Sequence, residues 1–238
     1  MHTVLRFGLA AALLCLVVLA AATIVLDRQV AEAVEQSTAR ALGVPVTLDR
    51  ATVSLFTGRF TLNGLRVDNP PSFEGNRAIW IPVIEGRMRV RTAFRPVAEL
   101  PSLTFSDVEL RLETRDGRGN YEAMVEHYLR EGRTATDDDR RYVVEELLVR
   151  DMTVHLDLGG DAVPDGSPRT VTLPEIRLRN VGDAEAGVIL DEIAGIAARA
   201  LFEAALERAA REIPDLILEE LRDRVPEIPW PGGIRPDD

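Results

Sequence analysis

The 238-residue sequence has one cysteine, Cys15, and three widely separated histidines, His2, His127 and His155. A lone cysteine excludes a disulfide framework and a cysteine-ligated metal cluster. His127 falls on the polar side of a short helical pattern and His155 alternates outward in a strand pattern, so both read as surface residues. Nucleophile elbows, phosphate loops and HExxH are also missing. Asp137-Asp138-Asp139 lacks the spaced ligands and glycine of a calcium loop and reads as a solvated loop. Asp116-Gly117-Arg118-Gly119-Asn120 has no dinucleotide fingerprint and reads as a turn leading into a helix capped by Asn120. Two carboxylates could still meet in space as an acid and base, but nothing singles out a pair. The expectation is a non-enzymatic chain with no catalytic residue, no cofactor and no metal. Basic charge is also short, with 28 basic residues against 39 acidic ones and a formal net charge of −11. That balance excludes a nucleic-acid partner and predicts repulsion from anionic lipid headgroups.

Charge of either sign is absent from Phe7 to Leu26. Twenty uncharged residues at about 1.5 Å each make a helix of roughly 30 Å, the thickness of a bilayer hydrocarbon core. Arg6 and the terminal amine precede the run and Asp27 follows it, which places the N-terminus in the cytoplasm and the rest of the chain outside. A cleaved signal peptide is the rival, because Ala20-Ala21-Ala22 offers small residues near the end of the run. The run exceeds the usual hydrophobic region of about 7–15 residues, and helical pattern continues past it. Lipid attachment at Cys15 is the weakest alternative, since Leu14 stands where a small residue belongs.

Apolar residues make up 46% of the chain, enough for a buried core. Residues 27–42 continue as helix, with Val30, Val34, Ala41 and Leu42 on one face, until Gly43 and Pro45 stop it. This segment reads as a stalk leaving the membrane. From Val46 the apolar period changes to two, and one unit recurs: two alternating apolar residues, a two-residue interruption, then alternation on the opposite parity. Its strong copies are Phe60, Leu62 / Asn63-Gly64 / Leu65, Val67, then Leu103, Phe105 / Ser106-Asp107 / Val108, Leu110, Leu112, and Leu147, Val149 / Arg150-Asp151 / Met152, Val154, Leu156. Weaker copies begin at Val46, Ile79 and Val171. A parity flip marks a bulge, a turn or a change of face, so the unit reads as strand, kink, strand. Successive strands without crossover helices favour an antiparallel sheet over βαβ units.

One short helix interrupts the strands, with Asn120 as N-cap, Gly132 as stop, and a stripe of Tyr121, Met124, Val125, Tyr128 and Leu129 to pack on the sheet. Residues 188–213 form an amphipathic helix, with Ile189, Ile193, Ile196, Ala200, Leu201 and Ala204 on one side and charged residues opposite. Pro214 breaks it, and 215–225 is a second helical segment before a proline-rich tail. The acidic helix lacks the basic face that a membrane-surface helix would carry. The expected fold is therefore α+β: a transmembrane helix and stalk, a curved, mainly antiparallel sheet with one inserted helix, and a C-terminal helix on or near the sheet. Its segments are an anchor at 1–27, a stalk at 28–45, a β-rich domain at 46–182 and C-terminal helices at 183–238.

The order of these features resembles the N-terminal region of the AsmA-like envelope proteins. The residues that carry the resemblance are the single anchor, Ala41-Leu42-Gly43-Val44-Pro45-Val46, Leu62-Asn63-Gly64-Leu65-Arg66-Val67, Asn69-Pro70-Pro71-Ser72-Phe73, and Leu103 to Leu112 followed by Asp116-Gly117-Arg118-Gly119-Asn120. They cover about half the chain, from Val4 to Tyr128. Ser72 replaces the glycine usual in the family's turn, and the long strand series of large members is missing. The resemblance implies a single-pass protein of a bacterial inner membrane, its C-terminal domain in the periplasm, concerned with envelope integrity or lipid carriage.

Two functions follow. In one, an apolar sheet face lined by Val108, Leu110, Leu112, Val154 and Leu156 holds a lipid chain. In the other, the C-terminal helix plugs that face and the protein acts as a structural or assembly factor for envelope proteins. Six to eight strands at about 4.8 Å span only roughly 30–40 Å, so a lipid-handling sheet of this size would serve as a short adaptor rather than a bridge.

Overall fold

The computed structural model describes residues 24–131, 140–157, 169–182 and 186–212. Most of the Phe7–Leu26 run, the Asp137–Asp139 loop, Pro214, the 215–225 segment and the proline-rich tail lie outside the described residues. Among the described residues no helix is long and apolar enough to cross a membrane.

The described residues open in helix α1, helical through 24–42, and continue through β1 (Val46–Val53), β2 (Arg59–Asp68) and β3 (Arg77–Arg87) as an antiparallel meander. A 3-10 turn at Val90–Thr92 leads to β4 (Val97–Leu100), β5 (Ser102–Ser106) and β6 (Glu109–Arg115), successive pieces of one long path. A two-residue hairpin joins β6 to β7 (Arg118–Gly119) through Asp116 (φ 49°) and Gly117 (φ 74°), the positive dihedrals such a turn needs. Helix α2 (Asn120–Arg130) then crosses to β8 (Arg141–Asp157), which pairs with β9 (Arg169–Val181) and β10 (Val188–Ile189) before helix α3 (Leu190–Glu212). The fold is mixed α+β, dominated by a curved sheet.

Most pairings are antiparallel, but β4, β5 and β6 all run parallel to β8. The expectation of a sheet without βαβ units is corrected at this seam. A parallel neighbour needs a crossover, and α2 belongs to it.

The recurring unit is a single structural feature of the whole sheet. Ala51, Leu62, Ile84, Phe105, Val149 and Ile176 are register partners in one row across the strands. Val46, Val67, Ile79, Leu110, Val154 and Val171 form a second row. Between the rows β1, β2, β3, the β5–β6 path, β8 and β9 change parity at the same level, so a crease crosses these strands without disturbing their register. Three strands make the change through a left-handed residue: Gly64 (φ 67°), Asp107 (φ 56°) and Asp151 (φ 54°). Glycine, and less readily aspartate, tolerates that conformation. The flanking register sets Pro82 opposite both Gly64 and Asp107, and Pro174 opposite Asp151. A kinked residue thus faces a proline, which has no N–H to leave unpaired. Asp49, Arg50, Asp107, Arg150, Asp151, Pro174 and Glu175 of the crease are exposed, while both apolar rows join the interior cluster.

Helix α1 is not a free stalk. Ala41 and Leu42 are buried, and Val30, Ala31 and Val34 pack on the core. Its carboxylates also close the sheet edge: Asp27 Oδ1 accepts from the Val53 amide at 2.8 Å, and Glu35 Oε1 accepts from the Leu48 amide at 2.6 Å. An edge strand with bare amides invites foreign pairing, and α1 removes two of them. The expected boundary at 45/46 therefore divides one packed unit, and so does the boundary at 182/183, because α3 shares the sheet's core.

Candidate functional site

The five residues expected to line an apolar groove come together on adjacent strands. Leu110 pairs with Val154 and Leu112 with Leu156, and the Thr153 amide donates to the Val108 carbonyl at 2.7 Å. They do not line an open groove. Val108, Leu110, Leu112 and Val154 have no exposed surface and Leu156 is 2% exposed. The same cluster contains Tyr121 and Met124 of α2 and Ile196, Leu201 and Phe202 of α3.

Helix α3 is buried more completely than its sequence suggests. All residues from Ile196 to Phe202 are buried, almost two full turns, so α3 is enclosed there on every side. Sheet strands β8 and β9 flank it on one side and α2 on another. A helix that lies on a surface shows one polar face, whereas one enclosed all round is part of a core. The expected polar side fails at Arg199, which is 6% exposed and reaches Glu203 one turn on, Nε to Oε1 at 2.6 Å. The helix also begins two residues later than expected, because Val188 and Ile189 pair with Tyr142 and Arg141 as β10.

Specific contacts fix α3 in place. The Arg40 guanidinium donates to both carboxylate oxygens of Asp191, at 2.9 and 3.0 Å, tying the last turn of α1 to the first turn of α3. Each charge opposes the helix dipole at its own end. Glu192 Oε2 accepts from the Ile189 amide at 3.1 Å, satisfying a donor at the α3 start. Tyr128 of α2 lies against Gly195, where any added Cβ would come within 2.1 Å of its ring. The Tyr121 and Phe202 rings are 6.2 Å apart.

Asn120 is not the N-cap expected of it. It is the first residue of α2, following Gly119 at the cap position, and is fully buried. Its Oδ1 accepts from the Glu113 and Tyr121 amides, while its Nδ2 donates to Asn69 Oδ1 at 2.8 Å and the Arg111 carbonyl at 2.9 Å. One side chain thus joins β6, α2 and the turn after β2. His127 is not a plain surface residue either. It is half-buried, lies over Gly43 at the end of α1, and its Nε2 is 3.0 Å from the Arg40 carbonyl. His155 is half-buried beside Thr170.

The outer face of the crease holds a shallow, open depression of about 370 Å³ beside Asp107, Glu109, Asp151, Thr153, Thr172 and Pro174. Glu109 is engaged by Arg77, whose guanidinium stacks 5.5 Å from the Trp80 ring centroid. Among the described residues no three His, Cys, Asp or Glu side chains are grouped to hold a metal ion. Tyr142, at the start of β8, has its phenol pushed above the ordinary value by burial, partly opposed by the Arg140 charge. No family model and no curated protein matches the chain.

Proposed function

We propose that this chain is a non-enzymatic, membrane-anchored protein of AsmA-like kind that acts as a structural or assembly factor, its apolar sheet face plugged by its own C-terminal helix. The observation that carries the plug is the burial of Ile196–Phe202 on all sides, together with the closed surroundings of Val108, Leu110, Leu112, Val154 and Leu156. The support for the AsmA-like assignment is the order of sequence features from the uncharged run to the Asp116–Asn120 turn. On this reading residues 7–26 hold the chain in a bacterial inner membrane and the folded domain stands on the periplasmic side. Partners meet its outer surface. Carrying lipid on the inner face would require α3 to leave, exposing both its own buried residues and the sheet. At about 1.5–3 kcal/mol for each large apolar side chain, that exposure is comparable to unfolding the domain.

Deleting Leu190–Glu212 tests the plug. The expected result is a chain that no longer folds, seen as loss of β-sheet circular dichroism and rapid proteolysis. A truncated chain with an intact sheet and bound lipid in native mass spectrometry would establish a movable lid and overturn the plug.

A further inference from the structure

The large apolar side chains left exposed among the described residues are Ile24, Val25, Leu55, Phe56, Val90 and Phe94. All six belong to one neighbourhood. Ile24 and Val25 are the first described residues of α1, and Asp27 accepts from the Val53 amide at 2.8 Å, next to the 54–58 turn. That turn is joined to the following loop by the Met88 amide, which donates to the Gly58 carbonyl at 2.7 Å. A Cβ on Gly58 would lie 3.1 Å from Val90 Cγ2, and Phe94 follows within the same 3-10 loop. Phe56 is 90% and Phe94 94% exposed, although apolar side chains are abundant enough elsewhere to build a complete core.

The charge here is the reverse of the whole chain's. Residues 54–59 and 86–96 contain Arg59, Arg87, Arg89, Arg91 and Arg95 and no acid, in a chain of net charge −11. Arg89 is held by Glu99 and Glu145, but among the described residues Arg59, Arg87 and Arg95 have no acidic partner. The sequence has no lysine, so every one of these cations is a planar guanidinium, the group best suited to phosphate oxygens.

We infer that this end of the domain docks on the lipid headgroup layer, with Phe56 and Phe94 entering the acyl boundary and the surrounding arginines binding headgroup phosphates. The inference rests on the anchor reading and adds a second contact with the same bilayer. The uncharged run ends at Leu26, and the next residue is bonded to the strand that leads into the 54–58 turn. No linker separates anchor from domain, so this surface is held against the membrane. Exposed aromatic and aliphatic side chains ringed by basic residues are the pattern of an interfacial contact. A second copy is a poorer occupant, since joining like ends would set Arg59, Arg87 and Arg95, which have no acidic partner among the described residues, against their own copies. The repulsion from anionic headgroups expected of the whole chain is reversed at this one surface.

The test uses the full chain with Cys15→Ser, carrying a polarity-sensitive fluorophore at Phe56→Cys, Phe94→Cys or, as a control on the exposed outer sheet, Thr172→Cys. Both phenylalanines are almost fully exposed, so their replacement leaves the core intact. The protein is placed in vesicles of phosphatidylethanolamine and phosphatidylglycerol bearing a nitroxide at a shallow acyl position, and alkaline carbonate extraction is measured in parallel. Emission at 56 and 94 should fall by about half while the control loses less than about a tenth, as for groups buried about 5–10 Å into the boundary layer. Resistance to extraction with no quenching at 56 and 94 would overturn the docking and leave the anchor standing. Release by carbonate with quenching at neutral pH would overturn the anchor and support the docking. Release without quenching would overturn both.

Discussion

Phe202→Ala separates a plug from a lid by the size and the shape of its effect. Phe202 is 2% exposed in the middle of the enclosed stretch of α3, with its ring 6.2 Å from that of Tyr121. Truncating a buried phenylalanine costs about 3–5 kcal/mol through lost transfer energy and the cavity left behind. The aromatic pair is part of that loss, about 0.5–1.5 kcal/mol of it. With about 2 kcal/mol per molar urea for a domain of this size, a loss near 4 kcal/mol moves the midpoint by about 2 M. A domain stability of about 5–15 kcal/mol leaves the variant folded but weakened. The assay is urea unfolding in non-ionic detergent, followed by circular dichroism at helix- and sheet-sensitive wavelengths. A plug predicts one transition, shifted as a whole with its slope unchanged. A lid predicts an early helical transition and a sheet midpoint that stays in place. A sheet midpoint moved by less than about 0.5 M would refute the claim that α3 belongs to the same core.

Three further perturbations probe other parts of the account. Gly195→Ala should destabilise: helix propensity favours alanine by about 1 kcal/mol, but a Cβ 2.1 Å from the buried Tyr128 ring introduces about 1–3 kcal/mol of overpacking, and a raised melting temperature would refute the contact. Asp151→Gly should be neutral or stabilising, whereas Asp151→Val should cost about 1–3 kcal/mol because a β-branched residue resists φ 54°; equal urea midpoints for the two variants would contradict a left-handed crease. Burial raises the Tyr142 phenol above its ordinary value of 10.0, so the fold favours the neutral form while the unfolded chain favours the ionised one. That contribution is fully present below the unfolded value and is lost as pH rises toward the folded one. The urea midpoint should therefore fall less between about pH 8 and about pH 11 in Tyr142→Phe than in the native chain, without lysine titration to obscure the comparison.

The crease was legible in the sequence because its signal is local: the apolar spacing changes parity within one strand, at a pair containing glycine or aspartate. The copies beginning at Ile79 and Val171 were fainter for identifiable reasons. Pro82 and Pro174 take the place of a left-handed residue, and Gly86 stands where an apolar side chain is due because the Phe60 ring lies over it. The register that unites all six is a pairing property, which no single strand displays. The parallel seam was hidden because β4, β5 and β6 look like separate short strands, and α2 like an insertion rather than a crossover. Likewise, Asp27 and Glu35 look solvated until the β1 edge amides are known to face them.

The five residues of the candidate groove lie on adjacent strands, but they are buried. Alternation places Val108, Leu110, Leu112, Val154 and Leu156 on one face, but alternation cannot tell an open apolar face from a covered one. The covering helix was visible as a pattern, with its charged side read as solvent-facing. Arg199 defeats that reading because its charge is met one turn away by Glu203, allowing the helix to be enclosed. Among the described residues Leu55, Phe56, Val90 and Phe94, four exposed apolar side chains, escape pattern analysis for the opposite reason: they sit in turns, where no periodicity marks them.

The most direct test of the central claim is native-state hydrogen exchange of the intact chain, comparing amides of Ile196–Phe202 with those of β8. A permanent plug predicts that both exchange only through global unfolding, with protection equal within about a factor of ten and an identical dependence on urea. Exchange of the α3 amides through a separate, lower-energy opening that leaves β8 protected would contradict it.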